Sequence, residues 1–270
     1  MKNLSNAKGF TVVELLISSL ISVIVLGAAL GVFLAQNKHL IVQDQISDMQ
    51  HNLRAGMDEI SSKIRMCGYD VPKGVDCLTA YNTNPDTIEV IYDTDILEGV
   101  EINWPMPSTS AELRCSGDIS GLHDGDWAFV YDPTADTGQF FEVTSVQVAA
   151  IHIQHNTMPL DRIYPVGSQV MRMNKMKYYV DNTTDPDHPR LMIKKVGEAP
   201  QIYADNITDL QLEYVLSSGA IVNVPPTPGM VREVRIRLIA RTDKADDVGA
   251  YGYRTRNLET TVKVRNLGIN

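Results

Sequence analysis

A single carboxylate lies inside the most apolar stretch of the chain. Residues 10–35 contain one charged side chain, Glu14, and residues 15–35 contain none. A carboxylate in apolar surroundings needs a partner of opposite charge or a proton, because an unpaired charge there costs roughly 2.5–3.5 kcal/mol on insertion scales. No basic side chain lies within helical reach of Glu14. The sequence therefore leaves Glu14 in need of a proton or of a positive charge from outside its own helical neighbourhood, and solvation in the headgroup layer of a membrane is the alternative.

The sequence contains no recognisable catalytic motif. It has no HExxH, P-loop, GxGxxG or GxSxG pattern. His152 and His155 are three residues apart in a predicted strand, so they point to opposite faces and would share a metal poorly. Residues 181–187 are rich in oxygen ligands but lack the spacing, glycine and final glutamate of an EF-hand, which favours a solvated turn over a calcium site. We therefore expect neither an enzyme nor a cofactor.

Composition narrows the classes of protein that the chain can represent. The 270 residues are 44% hydrophobic and 21% charged, which excludes a wholly disordered chain. There are 24 lysines and arginines against 33 aspartates and glutamates, a formal net charge of −9. An acidic chain argues against nucleic acid as the main partner. Three cysteines are too few for a disulfide scaffold and permit at most one internal disulfide.

The N-terminal part of the chain predicts one very long helix. Residues 15–35 are 21 uncharged residues, which as a helix extend about 31 Å, enough to cross a bilayer core. The polar sequence that follows carries apolar side chains at steps of three and four, which form one helical stripe: Val42, Ile46, Met49, Leu53, Met57, Ile60, Ile64 and Cys67. We expect a helix of about 58 residues, from Phe10 to Cys67, whose second half packs on a domain through that stripe.

From about residue 70 onward the apolar residues alternate as in β-strands. Residues 232–238 give the clearest alternation, with one polar and one apolar face. Turn sequences such as Ser218-Gly219 and Pro225-Pro226 separate the strand candidates. The candidates are residues 87–92, 100–104, 127–131, 140–146, 149–154, 169–173, 177–180, 191–196, 210–216, 231–240 and 259–264. Because no helical pattern intervenes, the sequence predicts an α+β fold, with the long N-terminal helix packed on an antiparallel β-sheet C-terminal domain.

The apolar segment permits three interpretations. Lys2 and Lys8 precede it without any acidic residue, so the N-terminus is expected in the cytoplasm and the chain beyond about residue 36 on the far side of the membrane. A removable signal peptide would have a shorter apolar region, usually about 7–15 residues. A plain membrane anchor would leave Glu14 unexplained. The third interpretation is a short basic leader that is cut off before the apolar segment.

The segment Lys8-Gly9-Phe10-Thr11-Val12-Val13-Glu14 resembles the cleavage motif of type IV prepilins. The resemblance implies that a prepilin peptidase of the inner membrane cuts between Gly9 and Phe10 and methylates the new N-terminus at Phe10. It also implies that Glu14, the fifth residue of the mature chain, pairs with the N-terminal amine of a neighbouring subunit in a fibre. Such a pair would supply the opposite charge that the helix of Glu14 lacks.

Later segments are similar to the PilW type of minor pilin. Residues 57–69 resemble the end of the helix in that family, although Lys63 and Cys67 depart from its usual residues. Looser similarities occur at residues 125–126, 140–143, 207–214 and 264–266. The resemblance implies a minor pilin of a bacterial type IV pilus that helps to initiate or cap fibre assembly. The alternative is a minor pseudopilin of the GspJ type in a type II secretion system, and a third possibility is a DNA-uptake or adhesin role for the β-rich domain.

The resemblance also implies an organisation and a location. The chain would comprise a prepilin leader (1–9), a transmembrane and filament-core half of the helix (10–36), an amphipathic half (37–68) and a β-rich periplasmic or extracellular domain (69–270). It would cross the inner membrane once, with the C-terminal domain in the periplasm, and then enter the pilus fibre at the cell surface. Its partners would be other minor and major pilins, the prepilin peptidase, the inner-membrane assembly platform and, before assembly, the inner membrane; no nucleic acid is expected.

The three cysteines would lie in the oxidising compartment beyond the membrane. Cys67 continues the apolar stripe of the helix and is expected to be buried as a small core residue. Cys77 and Cys115 lie in polar, loop-like sequence, so we predict a Cys77–Cys115 disulfide and a free Cys67. That disulfide would stabilise the fold by about 4 kcal/mol in the chain-entropy description. The rival pair, Cys67–Cys77, would tie the helix end to the following loop and stays open.

Overall fold

The computed structural model describes residues 10–93, 97, 99–245 and 252–267. Its first element is helix α1, Val12–Met66, which is 55 residues long. The helix ends where Gly68 adopts a φ of 77°, a left-handed conformation that glycine tolerates best. Lys63 and Arg65 lie in its last turn, where positive charge is favourable to the helix dipole. The predicted long helix is therefore confirmed, and its ends differ from the prediction by two residues at the start and one at the finish.

The rest of the described chain is mainly β-structure. The strands are β1 (Leu78–Tyr81), β2 (Thr87–Tyr92), β3 (Glu101–Ile102), β4 (Leu113–Ser116), β5 (Trp127–Asp132), β6 (Thr137–Glu142), β7 (Ser145–Gln147), β8 (His152–Gln154), β9 (Gln169–Met171), β10 (Asn174–Asp181), β11 (Arg190–Lys195), β12 (Gln201–Asp205), β13 (Ile207–Leu216), β14 (Ile221–Val222), β15 (Val231–Arg241) and β16 (Thr255–Lys263). A short 3₁₀ helix, Pro228–Met230, leads into β15.

These strands form three sheets with antiparallel neighbours. A five-stranded sheet has the order β1-β2-β10-β11-β12, and a four-stranded sheet has the order β14-β13-β15-β16. A seven-stranded sheet has the order β6-β5-β9-β3-β4-β8-β7. The predicted fold class is confirmed: one long N-terminal helix packs against antiparallel β-sheet in an α+β fold.

The second half of α1 packs the helix against the β-structure. From Met49 to Cys67 its apolar stripe is buried in a cluster that includes residues of β13 and β15, and Ile60 is 0% exposed. A β-carbon added at Gly56 would lie 2.9 Å from Leu191 Cδ2, so the absence of a side chain there brings the helix close to β11. The Tyr178 hydroxyl donates a 2.9 Å hydrogen bond to Glu59 Oε1 and adds a polar contact between β10 and α1.

The seven-stranded sheet belongs to a module inserted between β2 and β10. Tyr92 and Asn174 are paired across these two strands, so the chain leaves and re-enters the five-stranded sheet at adjacent positions. Residues 99–173, which we call the inserted module, have a hydrophobic cluster of their own that includes Phe141 and Tyr164. The sequence did not predict this subdivision of the β-rich part.

The inserted module packs on the segment that follows the C-terminal end of α1. Val71 shares a small apolar cluster with Phe129 and Tyr131 of β5. The Tyr131 hydroxyl also lies 2.9 Å from the backbone oxygen of Lys73. The apolar N-terminal half of α1 and the inserted module consequently lie toward opposite ends of the helix.

Candidate functional site at the N-terminal end of the long helix

Glu14 and Thr11 cap the start of α1 reciprocally. The Glu14 backbone N–H donates to Thr11 Oγ1 at 3.2 Å, and the Thr11 backbone N–H donates to Glu14 Oε2 at 2.9 Å. The Thr11 hydroxyl also donates to Glu14 Oε2, at 3.0 Å. This capping box satisfies backbone N–H groups that a helix start otherwise leaves without partners. Thr11 is a residue that the sequence reasoning missed, although its signal, Thr-x-x-Glu before an apolar run, is present in the sequence.

The capping box leaves the charge of Glu14 available at the end of the helix. Thr11 supplies neutral donors, and the helix N-terminus contributes a partial positive charge, so the carboxylate is oriented without being neutralised. Glu14 is exposed, and Phe10 is 84% exposed. The predicted cleavage residue Gly9 lies outside the described residues. Thr11 and Glu14 both follow the predicted cleavage point, so removal of residues 1–9 would retain both partners of the capping box.

The first half of α1 presents an apolar surface that the described chain does not cover. Large apolar side chains from Val12 to Ile41 are more than half exposed. Helix α1 is long and apolar enough to cross a membrane, and none of its most apolar stretch is buried by the rest of the described chain. Exposed apolar patches of this size are rare on soluble monomers and mark surfaces that contact a membrane or another protein. The long apolar N-terminal helix is consistent with membrane anchoring.

The structure does not contain the predicted Cys77–Cys115 disulfide, and all three cysteines in the described part of the chain are free. Cys115 lies in β4, with its side chain buried in the core of the inserted module. Cys77 instead packs against the core beneath α1 and the small cluster around Phe129. The polar sequence around Cys115 suggests a loop, but Cys115 alternates with Arg114 in a strand whose inner face is buried, so the predicted pairing is wrong in this structure. Cys67 is 0% exposed, which confirms its predicted burial.

The other residues considered for metal binding have polar partners within the protein. His155 is buried, with Nε2 2.7 Å from Ala111 O and Nδ1 3.2 Å from Met158 O. His152 Nδ1 lies 3.4 Å from Glu112 Oε1, so the two histidines face different partners. In the oxygen-rich turn, hydrogen bonds from residues 183 and 184 to the Asp181 carboxylate hold its pKa well below its usual range. No group of three or more metal-binding side chains was found among the described residues.

Comparison with known proteins finds a family model that matches the N-terminal segment and a similar solved structure. The family model described as the prokaryotic N-terminal methylation motif matches residues 4–30, which include the predicted cleavage point and Glu14. Among solved structures, the chain is similar to a type IV-like pilin, TTHA1219, from Thermus thermophilus, at 10% identity and a TM-score of 0.39. That match covers 81% of this chain and 97% of the other. A comparison with curated protein sequences finds no match.

Proposed function

We propose that this type IV pilin-like chain is a minor pilin that helps to initiate or cap the fibre of a bacterial type IV pilus. The methylation motif supports processing at Gly9 and Phe10, and a pilin-like chain in general interacts with other pilins and with the assembly machinery. Within that class, the minor and terminal role is supported by the position of the inserted module. The proposed location is the inner membrane, with the β-rich domain in the periplasm, followed by the fibre.

The two ends of α1 differ in what they carry, which supports a terminal position in the fibre. A helix of 55 residues is about 82 Å long, with its apolar surface in the first half. The inserted module packs on residues that follow the other end, such as Val71 and Lys73. If subunits enter a fibre from the membrane, the end farthest from the membrane meets the subunit assembled before it. A module of about 75 residues at that end occupies this space, which suits a subunit that has no predecessor.

The proposed mechanism begins with cleavage after Gly9 by the prepilin peptidase. The new amine at Phe10 is methylated, and the apolar half of α1 keeps the mature chain in the inner membrane. The assembly platform then lifts the subunit, and its apolar helix surface passes from lipid to the helices of neighbouring pilins. Glu14 pairs with the N-terminal amine of a neighbour, so that two opposite charges compensate each other in apolar surroundings and set the axial register of the helices.

A minor pseudopilin of the GspJ type is the second candidate, because the same leader and the same long helix suit a secretion pseudopilus.

Nucleic acid binding through the inserted module is disfavoured by the charge of the module. Residues 99–173 contain nine acidic residues against three arginines, which repels a phosphate backbone.

The function is tested first by processing and location. The mature chain should begin at methylated Phe10, and replacing Gly9 with a bulky residue should leave the precursor in the inner membrane. Mass spectrometry of sheared fibres should find the mature chain at low copy number, and immunogold labelling should find it at fibre ends. Loss of protein secretion without loss of fibres on deletion would favour the pseudopilin. A mature N-terminus near residue 30 would contradict both candidates.

The docking role of Glu14 needs variants that separate its charge from its cap. Glu14→Gln retains an acceptor for the Thr11 N–H but removes the charge, whereas Thr11→Ala removes the side-chain cap and leaves the charge. We expect Glu14→Gln and Glu14→Ala to be cleaved and stable in the membrane but to enter fibres poorly. Thr11→Ala should enter fibres normally, since a lost cap costs about 1 kcal/mol. Poor entry of Thr11→Ala with normal entry of Glu14→Gln would show that capping, not charge, matters.

A further inference from the structure

Two of the three cysteines meet at the junction between α1 and the β-structure. Cys67 follows the last residue of α1, and Cys77 precedes β1. Both segments bind the same residue of β2: the Ile91 N–H donates to Cys77 O at 2.8 Å, and the Gly68 N–H donates to Ile91 O at 2.9 Å. A strand residue presents its N–H and C=O to the same side, so the two cysteine segments lie along one edge of β2.

The side chain of Cys67 is already directed at Cys77. Its Sγ lies 2.9 Å from the backbone oxygen of Cys77. The Cys77 Sγ lies 3.2 Å from Val75 O. Rotation about the Cys77 Cα–Cβ bond would turn this sulfur away from Val75. Both residues pack in the core beneath α1, whereas Cys115 is buried in the separate core of the inserted module.

We propose that Cys67 and Cys77 are a disulfide-forming pair that fastens the C-terminal end of α1 to β1. The proposal rests on one part of the proposed function, the placement of the β-rich domain in an oxidising compartment. It does not depend on whether the chain is a pilin or a pseudopilin. The oxidant is a protein or small-molecule disulfide of that compartment.

The two cysteines have different roles in the exchange. Cys77 is half-buried and reachable, whereas Cys67 is fully buried. Burial raises the pKa of Cys77 to about 11 and raises that of Cys67 further, with the neighbouring Cys77 adding to the effect. Cys77 is therefore the thiol that the oxidant meets first, and Cys67 is the resolving thiol.

The exchange proceeds in two balanced steps. The Cys77 thiolate attacks one sulfur of the oxidant's disulfide, which forms a mixed disulfide and releases the other sulfur as a thiolate. The Cys67 thiolate then attacks the Cys77 sulfur and expels the second thiolate of the oxidant. Two protein thiols lose two electrons and two protons, and the oxidant's disulfide gains them as two thiols.

The disulfide would close a loop of 11 residues, from Cys67 to Cys77. The loop-closure entropy removed from the unfolded chain corresponds to a rise in Tm of roughly 5–10 °C for a domain of this size. Because this loop joins the helix to the β-structure, the disulfide would keep the helix end attached while the subunit is pulled from the membrane.

The state of each cysteine can be read in separate peptides. Trypsin cuts after Arg65, Lys73 and Arg114, which places Cys67, Cys77 and Cys115 in three different peptides. The full chain is isolated from an oxidising periplasm in detergent, unfolded, alkylated and digested without reductant. We expect peptides 66–73 and 74–114 to be joined and the Cys115 peptide to be alkylated. Full alkylation of Cys67 and Cys77, or a joined Cys77–Cys115 pair, would overturn the proposal.

Matched variants measure the consequence of the disulfide. The Tm of the wild-type chain and of Cys115→Ala should fall on reduction, whereas that of Cys77→Ala should not respond. If Cys77→Ala does not fold, the peptide map of the wild-type chain still decides the question. A Tm that responds equally to reductant in Cys77→Ala and in the wild type would contradict the assignment, and neither result depends on fibre assembly.

Discussion

The contribution of α1 packing to stability can be tested by shortening one fully buried side chain of the helix. Ile60 is 0% exposed and lies in the cluster that joins the helix to the sheets. Ile60→Ala removes three buried carbon atoms, a loss of about 2.4 kcal/mol at 0.8 kcal/mol for each. A residual cavity of about 50 Å³ adds about 1.2 kcal/mol. The expected loss of unfolding free energy is therefore about 3–4 kcal/mol.

The matched control makes the same chemical change on the same helix. Ile41 is 51% exposed, so Ile41→Ala removes three carbons without opening a cavity and should change stability by no more than about 0.5 kcal/mol. Both variants share the small gain in helix propensity that alanine provides. The difference between the two therefore isolates the packing of α1 on the sheets.

The assay is thermal unfolding of the detergent-solubilised chain, followed by near-UV circular dichroism. At about 2–4 °C for each kcal/mol, Ile60→Ala should lower Tm by roughly 6–15 °C, and Ile41→Ala by less than about 2 °C. If the two variants have the same Tm, the second half of α1 does not hold the β-structure as its burial indicates, and the reasoning is wrong.

Two further predictions concern close packing and pH. A β-carbon at Gly197 would overlap the Trp127 indole, whereas Gly219, also at positive φ, faces open space. Chemical denaturation should therefore show Gly197→Ala losing about 1–3 kcal/mol more than Gly219→Ala. Burial raises the pKa values of Tyr178 and Tyr214, so stability should be fully present below about pH 10 and fall above it, because the unfolded chain releases protons that the folded chain retains. Urea midpoints at pH 8, 10 and 11 should decrease in that order, less steeply for Tyr178→Phe.

Local patterns were enough to predict the helix and most of the strands. The predicted helix Phe10–Cys67 agrees closely with the observed helix Val12–Met66. The agreement is close because apolar periodicity and helix-end signals depend on neighbours a few residues away. Residues 231–240 became β15 with one added residue, since their alternation matches a strand with one buried face. Four strands were missed, and each is short or lacks clear alternation: β1, β4, β12 and β14.

Local sequence patterns also indicated the main features of the candidate site. The position of Glu14 in an uncharged run indicated from the sequence that its charge needs a partner or a proton, whereas its predicted docking role came from the resemblance to a prepilin leader. The methylation motif at residues 4–30 agrees with that resemblance. The cap formed by Thr11 is also encoded locally, by Thr-x-x-Glu before an apolar run, although the charge of Glu14 by itself does not indicate these hydrogen bonds.

The amino-acid sequence by itself determined the long helix, its apolar and amphipathic halves, the acidic charge and the antiparallel β-structure, because each depends on composition or on short-range periodicity. Only the tertiary structure decided which strands pair. The pairing of Tyr92 with Asn174 across 81 intervening residues isolates the inserted module, and no local pattern specifies so distant a partner. The cysteines follow the same rule: strand pairing buries Cys115 in the module and leaves Cys77 at the end of α1, beside Cys67.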